Sequence, residues 1–596
     1  MRDTILATLA RRAASHPHHE ALRELASGGA PAERAMTWSE WHEAARAVAA
    51  VLVAEGFSPG DRVAVLAGNR LPWPVADVGI MLAGCVSVGI YPTSSASQLQ
   101  ALLADSGARA LVVDEAGQLA KARRAREGHA ALRLLVHDSG ADVPDAVAWP
   151  AVLARGAALL ATDPAIVAEL AARAEAIAPD ETAILIYTSG STGSPKGARI
   201  SHRTLVASAH SAREALGFVE GDTSLSFLPY SHAGERIFGM ATRIECGMAA
   251  GLVADHARLW DAARDYRPTV FGGMPRFFEK LYEGLLTAEG AHPEWQAALA
   301  AGRMRSRLLR EGLRVPDDVT ARWHAGIAPV REWMAGWLGD RVRLVTSGGA
   351  ALNVAVAESL DAAGVTVLGA YGLTEHLCCC FHRPHAYDFT GVGPAMPGTE
   401  LRIADDGEVL VRRSDLTFSG YYGKPRETAE AFTADGAWLR TGDLGRLDAR
   451  GILHLTGRKK ELIALAAGKK VAPLAIEGRL VAEAWIAQAM CYGEGRKFLS
   501  ALLTLRRPVV EQWALEQGVV GSWSTLLAHP LVQARLDEMV ARVNAEVSGP
   551  EQVRRFVVLE HELTMDAGEL TPTQKIRRDV VAERYQSRLD ALYRNS

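Results

Sequence analysis

YTSGSTGSPKGARISH, residues 187–202, sets glycine, serine and threonine around one cation, Lys196, directly after an apolar run. That run, Ala183–Tyr187, predicts a buried strand that ends in a loop. Glycines let a backbone approach a ligand closely. Exposed N–H groups, hydroxyls and a lysine suit a polyphosphate. A solvated turn has the same composition, so composition alone leaves both readings open. The P-loop pattern GxxxxGK[ST] does not fit: Gly190 is followed by Ser-Thr-Gly-Ser-Pro195, and Lys196 precedes Gly197. No GxGxxG follows a strand in a dinucleotide-binding context.

Around this stretch lie 596 residues, a length that predicts roughly four domain-sized units. The chain is 48% apolar and 22% charged, enough for a large core. A net charge of −4, from 65 basic and 69 acidic residues, gives no nucleic-acid footprint. Six cysteines are too few for a disulfide framework and predict a reducing, cytoplasmic setting. The N-terminus lacks the long apolar core of a signal peptide, and the longest apolar run, Gly79–Tyr91, is too short to span a bilayer. A soluble protein is expected, with loose membrane association and oligomeric state left open.

Strand-like runs at Arg62–Leu66, Ala110–Asp114, Leu132–Val136, Arg343–Thr346 and Val365–Leu368 alternate with helical segments, which predicts α/β architecture with largely parallel sheets. Residues 94–106 and 166–177 read as helices, and 294–338 as a helical insertion with Trp295, Trp323, Trp333 and Trp337. The basic stretch from Lys121 reads as a solvated helix face. Near Gly398 the texture shifts to short strands such as Glu400–Ile403 and Gly407–Val411, a β-rich unit, and a mixed tail follows Glu461.

Several motifs then occur in one order: YTSGSTGSPKG, LPYSHAGER (228–236), GMPRFFEKLY (273–282), SGGAAL (347–352), GAYGLTE (369–375), WLRTGDLG (438–445), GRKKELI (457–463) and GELTPTQKIRR (568–578). GDRVAVLAGNRLPW (60–73) and IYPTSS (90–95) match in character. Together they resemble the adenylate-forming, AMP-binding superfamily, in its long-chain acyl-CoA synthetase branch, over nearly the whole chain. The resemblance implies a large N-terminal domain, 1–456, built of two α/β sheets and a β-rich unit. A hinge at 457–461 would lead to a small mobile α+β domain, 462–596.

It also implies a reaction: fatty acid and ATP give acyl-AMP and pyrophosphate, and coenzyme A then takes the acyl group. Thr188, Ser189, Gly190, Ser191, Thr192, Gly193 and Lys196 would hold the β- and γ-phosphates. Glu375, with Thr188, would bind Mg2+, and Thr374 would touch the α-phosphate. Tyr371 and Gly372 would meet adenine, opposite Gly349 and Ala350. Asp443 and Arg458 would serve the ribose, and Lys460 would contact ATP. Lys575 would bridge the carboxylate and α-phosphate during adenylation, and His232 would stand between the ATP and acyl sites. The acyl tunnel would pass Tyr230, Phe271, Gly272 and Met274.

One departure is the run His376-Leu-Cys378-Cys379-Cys380-Phe-His382, where relatives carry small or hydroxyl residues. Consecutive cysteines lack the C-x2–4-C spacing of structural zinc and predict a buried strand instead. No coenzyme A residue is assigned among Lys469, Lys470, Arg496 and Lys497. The rival readings are an acyl-AMP ligase that loads a carrier protein, an aryl or other carboxylic acid:CoA ligase, an amino-acid adenylating enzyme, and a non-catalytic scaffold with a degenerate site. The amino-acid reading would need a free Glu235, which Arg236 is expected to neutralise.

Overall fold

In the computed structural model the strand Thr182–Thr188 is buried throughout its middle, as an uninterrupted apolar run must be when both faces are covered. The structure describes residues 4–25, 34–140, 143–188, 195–571 and 575–594. Thr182–Thr188 belongs to a sheet ordered Val147–Ala148, Leu134–His137, Ala110–Val113, Arg62–Leu66, Val86–Gly89, Thr182–Thr188, Lys196–Ser201. All its neighbours run parallel except the last pair, an antiparallel hairpin in which Thr188 faces Lys196. Lys196 therefore opens a strand, not a helix.

A second sheet is ordered His376–Phe381, Val367–Leu373, Leu344–Ser347, Val270–Gly273, Thr223–Ser226, Ala249–Leu252, Glu20–Glu24, Arg34–Thr37. It is parallel inside and antiparallel at both edges. One continuous core joins the sheets through helices Trp38–Ala54 and Pro72–Leu82, and it reaches Val409, Leu439 and Leu453 of a third, antiparallel sheet. The apolar run from Gly79 ends the second of those helices. Gly79 lies so close to the other that an added Cβ would sit 2.7 Å from the Ala45 carbonyl oxygen. Among the described residues no single helix is long and apolar enough to cross a membrane. One bent pair, Trp149–Thr162 with Pro164–Ala176, has the length and composition but turns by 99°.

The third sheet is ordered Leu401–Ile403, Glu408–Arg412, Trp438–Leu447, Leu453–Arg458. After it, a short helical turn, Lys459–Glu461, leads to a small domain. That domain has its own three-stranded sheet (Ile486–Tyr492, Leu499–Leu505, Val553–Val558) and a separate core around Leu480, Leu503 and Leu536.

The strands predicted at Leu132 and Val365 begin two residues later. Leu132 N–H first closes a turn on His129, and Val365 N–H closes the end of a helix on Leu360. The insertion at 294–338 is two helices, Gln296–Arg310 and Asp317–Leu338. Gly312, at φ +68°, and Pro316 interrupt it.

Candidate active site

The described part of the Gly/Ser/Thr hairpin ends at Thr188 and resumes at Pro195; Ser189, Gly190, Ser191, Thr192 and Gly193 lie outside the described residues. Lys196 sits 5.4 Å above the ring of Tyr421, whose hydroxyl donates to Glu375 Oε1. Tyr421 thus ties the lysine that leaves the loop to the carboxylate expected to bind Mg2+. Burial, then Glu375, pushes the Tyr421 hydroxyl far above its usual range, so it stays a donor. Tyr421 is held in place because 419–422 pairs with the loop's own return strand: Arg199 N–H donates to Gly420 and Tyr422 N–H to Gly197. The sequence reading missed this residue; its signal was FSGYYG (418–423), aromatics and glycines directly before a proline-capped helix.

Glu375 and Thr374 form the tip of the Val367–Leu373/His376–Phe381 hairpin, where Leu373 faces His376. The backbone at Glu375 is fixed by Phe418 N–H donating to its carbonyl at 2.8 Å. One carboxylate and a threonine hydroxyl are hard oxygen donors. They leave other positions to phosphate oxygens and water, the donor set that Mg2+ takes. Below the tip, Gly372 packs against Cys378: an added Cβ would lie 2.4 Å from the Cys378 nitrogen. Cys378 itself adopts φ +55°, unusual for a residue with a side chain.

The cysteine run is a strand packed into the core, with Cys379 and Cys380 fully buried. Burial pushes the Cys378 thiol up to about 12. His376 bridges Thr417 and Thr399 at 3.1 and 3.0 Å. Among the described residues, the groups able to converge on a metal are His16, His19 and Glu220, and Asp388, Asp448 and His454; no cysteine is among them.

Tyr371 is nearly buried, and its hydroxyl donates to Asp443 Oδ2 at 2.8 Å. The other carboxylate oxygen pairs with Arg458 Nε at 2.9 Å. Asp443 and Arg458 are direct cross-strand partners, so adjacent strands of the third sheet bring them together. A carboxylate has about four lone-pair sites, so two contacts leave room for ribose hydroxyls. Gly349, at φ +84°, and Ala350 lie exposed just past the strand Leu344–Ser347. Lys460 is exposed in the turn that leads to the small domain.

His232 precedes a π-helix, Gly234–Ala241, a form common at functional sites. Its Nδ1 accepts from Gly234 N–H at 3.1 Å, which leaves Nε2 protonated in the neutral ring. Burial, with Lys575 adding repulsion, pushes His232 down to about 4. Glu235 is neutralised, but not by Arg236. Its partner is Arg243, with Ser226 donating to it at 2.7 Å. Arg236 pairs with Asp77, both side chains fully buried, and lies 5.1 Å over Trp73. Tyr230 stacks on the other side of this cluster, 4.8 Å from Trp73. Phe271 continues instead into Trp260 and, through it, Trp337 of the helical insertion.

Lys575 reaches this site from the small domain. It keeps solvent access, yet it lies deep enough in the crevice between domains that burial lowers its ammonium below the usual range. Arg458 adds to the lowering, while Asp443 and Glu461 oppose it. Lys575 N–H donates to Thr571 Oγ1 at 3.0 Å, and Thr571 N–H returns to the Lys575 carbonyl at 2.8 Å. Buried Glu569 braces the base of this loop against Arg584 and Tyr585, each at 2.8 Å.

Two α/β sheets, an antiparallel sheet and a small closing domain, meeting at a Gly/Ser/Thr hairpin, are the layout of an adenylate-forming enzyme. The chain belongs to the AMP-binding enzyme family: the family matches over residues 9–422, and the family's C-terminal domain over 460–596. It is 35% identical to the long-chain-fatty-acid–CoA ligase FadD15 of Mycobacterium bovis, over 94% of this chain and 92% of that one. It is 28% identical to the long-chain-fatty-acid–CoA ligase heimdall of Drosophila melanogaster, over 94% and 90%. The fold is that of a benzoate CoA ligase from Burkholderia xenovorans LB400 (TM-score 0.72, 21% identity, 97% and 99% covered). It is likewise that of the adenylation domain of a carboxylate reductase from Mycobacterium chelonae (TM-score 0.74, 24% identity, 99% and 91% covered).

Proposed function

We propose that this chain is an ATP-dependent fatty acid:CoA ligase. The observation that carries the reading is the Tyr371–Asp443–Arg458 cluster of the large domain, whose Asp443 and Arg458 are also among the charges that act on Lys575 of the small domain. The naming of its relatives as long-chain-fatty-acid–CoA ligases supports the substrate class. A carboxylate is a poor electrophile, so its oxygen attacks the α-phosphorus of ATP and pyrophosphate leaves. Two anions must approach for this, and the Lys575 ammonium offsets their repulsion where charge shifts in the transition state. Asp443 accepts from the ribose, and Tyr371 packs against the base. Glu375 and Thr188 would hold Mg2+, which screens the phosphate charge. The CoA thiol then attacks the acyl carbonyl and AMP leaves. His232, neutral at physiological pH, separates the acyl and nucleotide sites without adding charge.

We place the reaction in a reducing, cytoplasmic compartment, supported by six cysteines standing as free thiols. The test is a chain-length series of fatty acids with ATP, Mg2+ and CoA, following pyrophosphate and AMP. Acyl-CoA and AMP in equal amounts are expected. Acyl transfer and AMP release that need a carrier protein in place of CoA, or no pyrophosphate with any fatty acid, would overturn the reading.

A further inference from the structure

Beyond Met274, expected at the acyl tunnel, the motif GMPRFFEKLY takes no part in the chemistry above. It opens the helix Pro275–Ala291, whose outer face meets the small domain. Arg276 Nη2 donates to Glu562, while its Nη1 keeps Glu279 at 3.3 Å within the helix. Two turns along the same face, Glu283 Oε1 lies 3.3 Å from Arg506 Nε of the small domain. The pairs are crossed. The large domain presents plus then minus, and the small domain answers with minus then plus. A small domain rotated or slid along this helix would set like charges against each other, so the pattern favours one docking register.

Both small-domain partners are rigidly mounted. Arg506 is 2% exposed and donates to the carbonyls of Glu483, Ala484 and Val481 at 2.9 to 3.2 Å. Glu562 precedes Leu563, whose N–H and carbonyl are both held by the Gln488 side chain, at 2.7 and 3.3 Å. From there the chain leads directly into the loop that carries Lys575. A third contact, Asn353 Nδ2 donating to Gly478 O at 2.9 Å, lies on the same side.

We propose that Arg276–Glu562 and Glu283–Arg506 form a charge latch that holds the small domain in the arrangement presenting Lys575 to the nucleotide, and that must release before the thioester step. Arg276 and Glu562 are positioning residues in this account: they touch no substrate and act through Lys575. The inference rests on the ligase reading for its kinetic consequences, but not for its conformational one.

The test therefore has two readouts. Labels at exposed Val219 and Val520 report the domain arrangement by energy transfer, without substrate. Pyrophosphate release from hexadecanoate and ATP, and thioester formation from supplied hexadecanoyl-AMP, report the two half-reactions. R276E places a carboxylate against Glu562 and Glu279, and E562R places a guanidinium against Arg276. Each single variant should shift the distribution toward the open arrangement. Each should slow pyrophosphate release roughly tenfold and leave thioester formation unchanged or faster, while the double swap R276E/E562R restores both readouts to within about threefold. E562R, at a side chain 38% exposed, keeps the test alive if R276E does not fold. Equal loss in both half-reactions, no rescue in the double swap, or an unmoved distance distribution would overturn the latch. A wild-type protein that forms no acyl-AMP, yet shows the swap-dependent shift, would instead overturn the ligase reading alone.

Discussion

Glu375 has one carboxylate with which to hold a cation, and Tyr421 occupies one of its two oxygens. A hydrogen bond to a charged group contributes about 1.5–3 kcal/mol. Removing it frees the carboxylate to rotate, while Phe418 N–H still holds the Glu375 backbone. Tyr421→Phe should therefore raise the Mg2+ concentration needed for half-maximal pyrophosphate release and lower kcat/KM for ATP by roughly tenfold or more. A metal titration of the variant checks this, and an unchanged Mg2+ requirement would separate Tyr421 from the cation. Lys575 has the opposite signature. In the proposed mechanism it serves one half-reaction only, so Lys575→Ala should lose about 10²–10³-fold in adenylation and largely keep thioester formation from supplied acyl-AMP, as pyrophosphate and thioester assays would each report. Asp77 belongs to the core and not to the chemistry. Asp77→Ala leaves the Arg236 guanidinium buried without its counter-charge, which should cost about 3–5 kcal/mol in a denaturant titration.

The hairpin Val367–Leu373/His376–Phe381 joins residue to element: its bulge between Tyr371 and Leu373 aims Tyr371 at Asp443 while its tip carries Glu375. That bend requires no side chain at 372. In Gly372→Ala the new methyl would meet the Cys378 backbone at 2.4 Å and push the tip away. A misplacement of about 1 Å at a reacting centre can lower rates roughly 10²-fold, so adenylation should fall far more than stability does, by paired kinetic and melting measurements. The elements themselves were largely legible. Buried parallel strands must be apolar throughout, and Ala183–Tyr187, Arg62–Leu66 and Ala110–Val113 announce themselves that way. The break in the helical insertion was also written there, as Gly312 and Pro316, within a stretch that otherwise reads as helical throughout. The motifs named Glu375, Tyr371, Asp443 and Arg458, which the hairpin and the third sheet carry. What no local pattern carries is pairing at long range: Tyr421 meets Glu375 only because two sheets meet. Glu235 takes Arg243 rather than its neighbour Arg236 because adjacent residues of a helix do not face each other, while Arg236 turns to Asp77 of another helix.

At the scale of the whole molecule, three sheets and a separate domain each send a few side chains to one crevice, and the large core behind them fixes where those side chains can go. That core also holds imidazoles that cannot take up a proton in place. His202, His376 and His382 are buried, and burial pushes each down to about 4 from an ordinary value near 6.5. Between these two pH values the unfolded chain holds a proton on each ring that the native chain does not, so unfolding takes up protons. Stability should then rise with pH through this window, by up to about 1.4 kcal/mol per pH unit for each histidine, and be lost as pH falls toward 4. His202 isolates the effect, because its Nδ1 has no hydrogen-bond partner among the described residues and burial alone lowers it. Urea titrations at pH 5.0, 5.5, 6.0 and 6.5 should give a steep slope for the wild type and a slope shallower by one proton for His202→Gln. Equal slopes would mean that the ring is protonated in the folded protein, and so that the helix following the hairpin, His202–Leu216, opens to water at its first turn.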